Sequence, residues 1–269
     1  MTVPKKFLVP VAACLLWPVA VILSGCGSSQ PAESPLPSPT ATEPAPAPVP
    51  AMKLRVASLD ISGFRGRMEK KQVDELARLI GERKIELLAV QGITRYPTVK
   101  TRTDLIEELS SVTGMRQAFG ETINLSGRQS GNALFSAYPI ASSDSRSYEG
   151  VSGSNFEGAL RAIVDAGTRA VVVVCTLIPD PLSAIDARVC NDALSAMASE
   201  RGTDPLVVLG NLPGPPGGGT WKEIQAGDPG AGRLWYTPGG ITVSGGTTAR
   251  CELGTLLIAD VDIFPQARR

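Results

Sequence analysis

The chain has 269 residues, with 26 basic and 26 acidic side chains, 43% hydrophobic and 19% charged content, and no histidine. That length and hydrophobic fraction suffice for one sizeable buried core, and the balanced charge argues against a general grip on nucleic acid, which needs a basic excess. Without imidazole, Ser-His-Asp and Cys-His catalysis and most zinc chemistry are excluded at once.

The first residues read as an export signal. Lys5 and Lys6 form a positive region and Phe7 to Ile22 an apolar one. Leu23-Ser24-Gly25-Cys26 is similar to the cleavage box of bacterial lipoproteins, in which the peptidase cuts before the Cys and that Cys carries the lipid. A plain transmembrane anchor is the alternative, since about 20 apolar residues span a bilayer. Pro10, Pro18 and the Leu-Ser-Gly-Cys ending favour the lipoprotein. Residues 1–25 are therefore set aside from the fold as a signal peptide. Over 26–50 the chain is rich in Ser, Ala and Pro, Pro alternates from Pro44 to Pro50, and only Glu33 and Glu43 are charged. Such a stretch buries no apolar surface, and its prolines make it a semi-rigid spacer. The folded domain is expected over 51–269, outside the cytoplasm in the bacterial cell envelope, tied to the membrane through Cys26.

Lys53–Leu59 alternates apolar and polar residues, the period of a half-buried strand. Val73, Leu76, Ala77 and Ile80 then mark one apolar helix face, and Leu87–Val90 is a short apolar strand ending at Gln91-Gly92. Thr103–Val112 reads as a short amphipathic helix through Leu105, Ile106, Leu109 and Val112, and the polar, Gly-broken 116–131 as a loop. A buried strand follows at Ala133–Phe135, which Pro139 turns out of its sheet. Ala159–Val164 and Arg169–Thr176 form a hairpin around Asp165 to Thr168. The unbroken Val171–Val174 run predicts a strand buried on both faces. Ala184–Glu200 is a helix with Ile185, Val189, Leu194 and Met197 toward one side, and Leu206–Leu209 is another buried strand. Beyond Gly217 the chain thins into Gly-rich turns until the apolar run Leu253–Asp260. Strands alternate with helices throughout, which defines an α/β class. Cys175, Cys190 and Cys251 remain after export and lipidation of Cys26. An odd number leaves room for at most one disulfide, and none is predicted, since Cys175 sits inside an apolar run. Cys175 and Cys190 lack metal-ligand spacing.

Four motifs, in order, resemble the endonuclease/exonuclease/phosphatase superfamily with its DNase I-like fold. Leu54-Arg55-Val56-Ala57-Ser58-Leu59-Asp60 with Leu87-Leu88-Ala89-Val90-Gln91-Gly92 is similar to that family's "Leu-Arg-Val-x-Ser/Thr-x-Asn … Asp-Val-x-x-Leu-Gln-Glu". Gly131 to Ile140 resembles "Gly-Asn-Ala-Ile-Leu-Ser-Arg-Tyr-Pro-Ile", Gly210 to Pro216 "Gly-Asp-Phe-Asn-x-x-Pro", and Leu253 to Asp260 "Ile-Asp-Tyr-Ile-Leu-Val-Ser". The resemblance implies a four-layer α/β sandwich, two packed mixed β-sheets flanked by helices. It also implies where chemistry would sit, at the strand ends. There the family's metal-binding Glu is Gly92, its strand-end Asn residues are Asp60 and Cys175, its His is Leu177, and its Asp-x-Asn is Asn211 and Pro213. Gly254 takes the position of a further Asp; an alternative register sets Asp262-Ile263-Phe264-Pro265 against the family's "Asp-His-x-Pro", and the first is preferred because it also matches the apolar run.

Family enzymes cleave phosphate esters with divalent ions and an Asp that activates water. An amide such as Asn211 has no proton affinity near neutral pH and cannot replace that Asp as a base. The expectation is therefore a lipid-anchored module that binds a ligand or an envelope protein, with no catalytic residues, no cofactor and no nucleic-acid partner. The alternative is a divergent metal-dependent phosphoesterase or nuclease, using Mg²⁺, whose ligands come from positions outside these motifs. A separate reading of Asp60 is a weak Mg²⁺ or Ca²⁺ site with Gln91 and Asp262, against a residue that caps the following loop. Arg65, Arg67 and Arg128 fall on loops that border the family's cleft; exposed Arg on a loop is ordinarily just solvated, and an anion site is the other reading.

Overall fold

A computed structural model describes residues 50–264 apart from 100, 149–157, 168, 179–182, 213, 217–219 and 229–230. The export signal, Cys26 and all of the tether but Pro50 lie outside the described residues. Twelve strands form two six-stranded sheets. The first sheet contains β1 (Met52–Asp60), β2 (Leu87–Arg95), β3 (Arg116–Leu125), β4 (Arg128–Ser136), β11 (Ile241–Cys251) and β12 (Gly254–Ile263), in the order β11-β12-β1-β2-β4-β3. The second contains β5 (Ile140–Ser147), β6 (Gly158–Asp165), β7 (Ala170–Leu177), β8 (Leu206–Asn211), β9 (Lys222–Gln225) and β10 (Arg233–Tyr236), in the order β5-β6-β7-β8-β10-β9. Each sheet is mixed: β1 runs parallel to β2 and β7 parallel to β8, and their other pairings are antiparallel.

The two-residue period of a strand decides the layers. In β1 and β2, Leu54, Val56, Leu87 and Ala89 point inward and meet Val171, Val173, Val207 and Leu209 of the second sheet. Their neighbours Ala57, Leu59, Leu88 and Val90 point outward, under α1 (Lys70–Arg83) and α2 (Leu105–Thr113). On the far side, Val172, Val174, Leu206 and Val208 turn outward against Cys190, Leu194 and Met197 of α3 (Ala184–Ser199). Helices, sheet, sheet and helix make the expected four-layer α/β sandwich. It also explains the unbroken apolar runs Leu87–Val90, Val171–Val174 and Leu206–Leu209, whose residues are covered on both faces.

Local signals start and stop the helices. Glu69 and Gln72 form a capping box on α1, and Lys84 ends it in the left-handed region. Asp104 caps α2 by accepting from the Ile106 N–H at 2.9 Å, and Ser183 caps α3 by accepting from the Asp186 N–H at 3.1 Å.

Several expectations are corrected. Residues 116–131 are not a loop but the hairpin of β3 and β4. Its two turn residues, Ser126 and Gly127, both have positive φ (52° and 83°), as the tightest hairpin turn requires. β3 is an edge strand whose polar residues face water, so its alternation is faint. The same holds for β5, an almost wholly exposed edge, and for the edge strands β9 and β11, expected as turns. β10, also expected as a turn, is instead an interior strand between β8 and β9 with Leu234, Trp235 and Tyr236 buried. The buried side of α3 is Asp186, Cys190, Leu194 and Met197, while Ile185 is 77% exposed. On α2, Val112 likewise faces solvent.

Candidate functional site

The parallel pairings bring the motif positions to one end of the molecule. Asp60 ends β1 in register with Gln91 on β2, and Leu177 ends β7 in register with Asn211 on β8. Inward-facing Gln91 and Cys175 meet across the two sheets. The Gln91 amide Nε2 donates to Cys175 Sγ at 3.2 Å and its Oε1 accepts from the Ser58 hydroxyl at 3.2 Å. The Cys175 thiol in turn donates to the Val90 carbonyl at 3.6 Å. Burial pushes this thiol up to about 12, a shift the amide bond from Gln91 only opposes and the nearby Asp60 charge reinforces. At neutral pH it is an inert S–H rather than a nucleophilic thiolate.

A second tie between the sheets runs through Asn132 of the Gly131–Ile140 motif. Its Oδ1 accepts from the Gly92 N–H at 3.3 Å and its Nδ2 donates to the Gly158 carbonyl on β6 at 2.9 Å. Gly158 also accepts from the Thr176 hydroxyl, which is bonded to Tyr148. Ser58, Gln91, Asn132 and Thr176 are all fully buried, and each hydrogen-bonds inside the protein.

Gly92 is where the resemblance sets a metal-binding Glu. It lies in a bulge between Val90 and Ile93, with φ of +73°. A Cβ added there would stand 2.5 Å from Ser62 Cβ, 2.6 Å from Ser62 Cα and 2.7 Å from Ser62 N. The loop after β1 therefore fills the space a side chain at 92 would need. That loop is held in place: Asp60 Oδ1 accepts from the Ser62 N–H at 2.8 Å, and the Ile61 N–H donates to the Gln91 carbonyl at 3.0 Å. Asp60 is thus a turn-forming carboxylate, half-buried at the strand end.

The other positions are equally specific. Leu177 is buried and Asn211 half-buried; Pro213 lies outside the described residues. Gly254 lies beside Asp60, for a Cβ added to it would be 3.1 Å from the Asp60 carbonyl oxygen. Asp262 instead pairs with Lys53 at the opposite end of β1, about 23 Å away along the strand at about 3.3 Å per residue. The register through Gly254 is the one the fold adopts, and a metal site joining Asp60, Gln91 and Asp262 is ruled out by that separation. A Mg²⁺ or Ca²⁺ ion needs about six or more oxygens at 2.0–2.6 Å. Among the described residues no three His, Cys, Asp or Glu side chains converge to supply them. None of Cys175, Cys190 and Cys251 forms a disulfide.

On the outer side of the Gly92 bulge, Arg65, Arg67 and Arg128 do come together. With Arg102 and Tyr96, which sequence reasoning missed, they line a cavity of about 570 Å³. Missed too were the roles of Ser62 and Asn132, although Asp60-Ile61-Ser62-Gly63 carries the residue types of an Asx turn.

Neither a protein-family model nor a curated protein matches the sequence. Among solved structures, the chain has the architecture of the endonuclease/exonuclease/phosphatase proteins, the DNase I-like fold. It is similar to one such protein from Beutenbergia cavernae (TM-score 0.59, 17% identity, 79% of this chain and 72% of that one). It is also similar to one from Bacteroides vulgatus (TM-score 0.59, 11% identity, 79% and 99%). TDP2 from Caenorhabditis elegans matches with a TM-score of 0.57 and 12% identity, over 78% of this chain and 74% of that one.

Proposed function

We propose that the chain is a lipid-anchored protein of the bacterial cell envelope whose DNase I-like domain binds a ligand or partner and does not catalyse. The observation that carries this reading is the Gly92–Ser62 contact. A carboxylate at 92 is the ligand an ancestral metal would need, and backbone now stands 2.6 Å from where its first carbon would be. Three further features support it. Asn211 cannot act as the base, Leu177 offers no proton, and the polar side chains between the sheets are spent on one another. Phosphate-ester cleavage on this fold draws on carboxylates converging at the strand ends; among the described residues no three acidic or cysteine side chains converge, and Asp60 is engaged in its own turn. The anchor rests on Lys5, Lys6, the apolar run and Leu23-Ser24-Gly25-Cys26, with the Pro-rich stretch as spacer.

The test has two arms. The purified protein is titrated with Mg²⁺, Mn²⁺ and Ca²⁺ by calorimetry and thermal shift, beside a generic phosphodiester turnover assay. The expected result is no saturable heat, no metal-dependent rise in Tm and no turnover. Binding at micromolar to millimolar metal that Asp60→Ala abolishes would overturn the non-catalytic reading in favour of a divergent phosphoesterase. In cells, Cys26→Ser is expected to move the chain from the membrane to the soluble fraction; retention would sink the lipid anchor.

A further inference from the structure

The cavity beside Gly92 has an unusual charge balance. It lies between the loop after β1, the loop after β2 and the start of β4. Among the described residues four arginines line it, Arg65, Arg67, Arg102 and Arg128, and no Asp or Glu does. Many arginines elsewhere in this fold sit against carboxylates, Arg55 on Asp260, Arg95 on Asp104, Arg146 on Glu200 and Arg250 on Asp228, while Arg116, Arg169 and Arg201 bond neutral oxygens. The four in the cavity have only neutral partners. Arg65 Nη1 donates to the Ser62 carbonyl at 3.0 Å, Arg67 donates to the Thr101 carbonyl, and the Arg102 guanidinium lies 3.9 Å over the Tyr96 ring.

Arg128 has less still. Its Nε is buried without a partner, and its guanidinium donates to no described residue. Arg161 and Arg169 share the orphaned Nε, but their terminal nitrogens are anchored, on Asp144 and the Glu200 carbonyl in one case and on the Phe264 and Thr203 carbonyls in the other. A partly desolvated guanidinium with no acceptor is costly, and a cluster of like charges with no counter-charge raises the local potential. An oxyanion relieves both, because the planar donor fork of arginine fits phosphate oxygens two at a time.

We propose that this cavity is a binding site for a small oxyanion carrying two or more negative charges, a phosphate, pyrophosphate or phosphomonoester, gripped by Arg65, Arg67, Arg102 and Arg128. Gly92 and Ser62 are in its wall but Asp60, Cys175, Leu177 and Asn211 are not, so the grip of the arginines needs no catalytic side chain at the strand ends. Four cations without a carboxylate suit a multiply charged group better than the single charge of a phosphodiester. The same phosphate chemistry is offered by a lipid headgroup and by a free phosphate, and the charge count favours the free, multiply ionised form.

The experiment is calorimetry on the full chain in non-ionic detergent at low salt, with inorganic phosphate, pyrophosphate and glycerophosphoglycerol, the deacylated form of a lipid headgroup. Pyrophosphate is expected to bind tightest, with an affinity that falls as salt rises. Arg67→Gln combined with Arg128→Gln is expected to weaken it by about tenfold or more, equivalent to about 1.4 kcal/mol. Arg188→Gln, on the exposed face of α3, is expected to leave it unchanged. Should Arg128→Gln unfold the chain, the exposed pair Arg65→Gln and Arg67→Gln carries the same expectation. No pyrophosphate binding, or binding that survives either double substitution, overturns the site. Glycerophosphoglycerol bound as tightly as pyrophosphate overturns its preference for a multiply charged ligand.

Discussion

At the scale of single residues, Gly92 decides more than any other position. Its positive φ suits glycine and its missing side chain admits the Ser62 backbone, so both the conformation and the space exclude a substituent. Gly92→Ala is expected to cost about 1–3 kcal/mol in urea unfolding, the range for backbone strain added at a special φ. Gly92→Glu is expected to cost at least as much and to confer no metal-dependent rise in Tm. A stable Gly92→Glu protein that binds Mg²⁺ would mean that the loop at Ser62 yields, and that the ancestral site is only covered. That Gly92 stands where the resemblance expects a Glu was legible in the sequence; the closed space around it was not. The contact that matters lies between Gly92 and Ser62, which belong to different strand-end loops and share no local pattern.

At the scale of elements, α2 and the strand beside it are tied by one carboxylate. Asp104 caps the helix through Oδ1 and holds Arg95 of β2 through Oδ2 at 2.7 Å, in a pair of which both side chains are largely buried. Asp104→Ala therefore removes a cap, worth about 1 kcal/mol, and leaves a partly buried guanidinium with Glu107 and the Phe119 ring. The expected loss is about 2–3 kcal/mol by chemical denaturation. By contrast, Arg78→Ala breaks an exposed pair with Glu82 and is expected to cost under about 0.5 kcal/mol. Equal losses in the two variants would deny the Asp104 pair its structural weight. The central strands and all three helices were readable because burial on both faces, or on one stripe, writes a strong periodic pattern. The edge strands β3 and β5 were not. Their outer sides are bathed in water and accept polar residues freely, so Arg116–Leu125 and Ile140–Ser147 carry the composition of loops.

At the scale of the whole molecule, the two sheets are joined at the candidate end by two polar ties, Gln91 to Cys175 and Asn132 to Gly158, set in an otherwise apolar interface. The first makes stability depend on pH. The Cys175 thiol ordinarily ionises near 9.0 and is pushed up to about 12 in the folded chain. Between those values the native state holds a proton that the unfolded state has lost, so stability falls as pH rises through that window. Tyr148, also raised by burial, contributes a loss of the same sign. Urea midpoints measured from pH 8 to 10.5 are expected to decline, and less steeply in Cys175→Ala than in the parent. Identical slopes would show that the thiol is not sealed from solvent. At neutral pH, Cys175→Ala is expected to cost about 1–3 kcal/mol, because the buried Gln91 amide loses its acceptor.

The sequence by itself determined the class of fold, the order of its central strands and helices, and the chemical identity of the strand-end positions. Those features are written in local periodicity and in motifs that each occupy one short stretch of chain. The tertiary structure decided which of these residues meet. It set Gly254 rather than Asp262 beside Asp60, because β12 runs antiparallel to β1 and carries its two ends to opposite sides of the molecule. It closed the space at Gly92 and drew four arginines from three segments of the chain around one cavity. Contacts between residues far apart in the chain depend on the packing of the sheets and loops, and no local pattern encodes them.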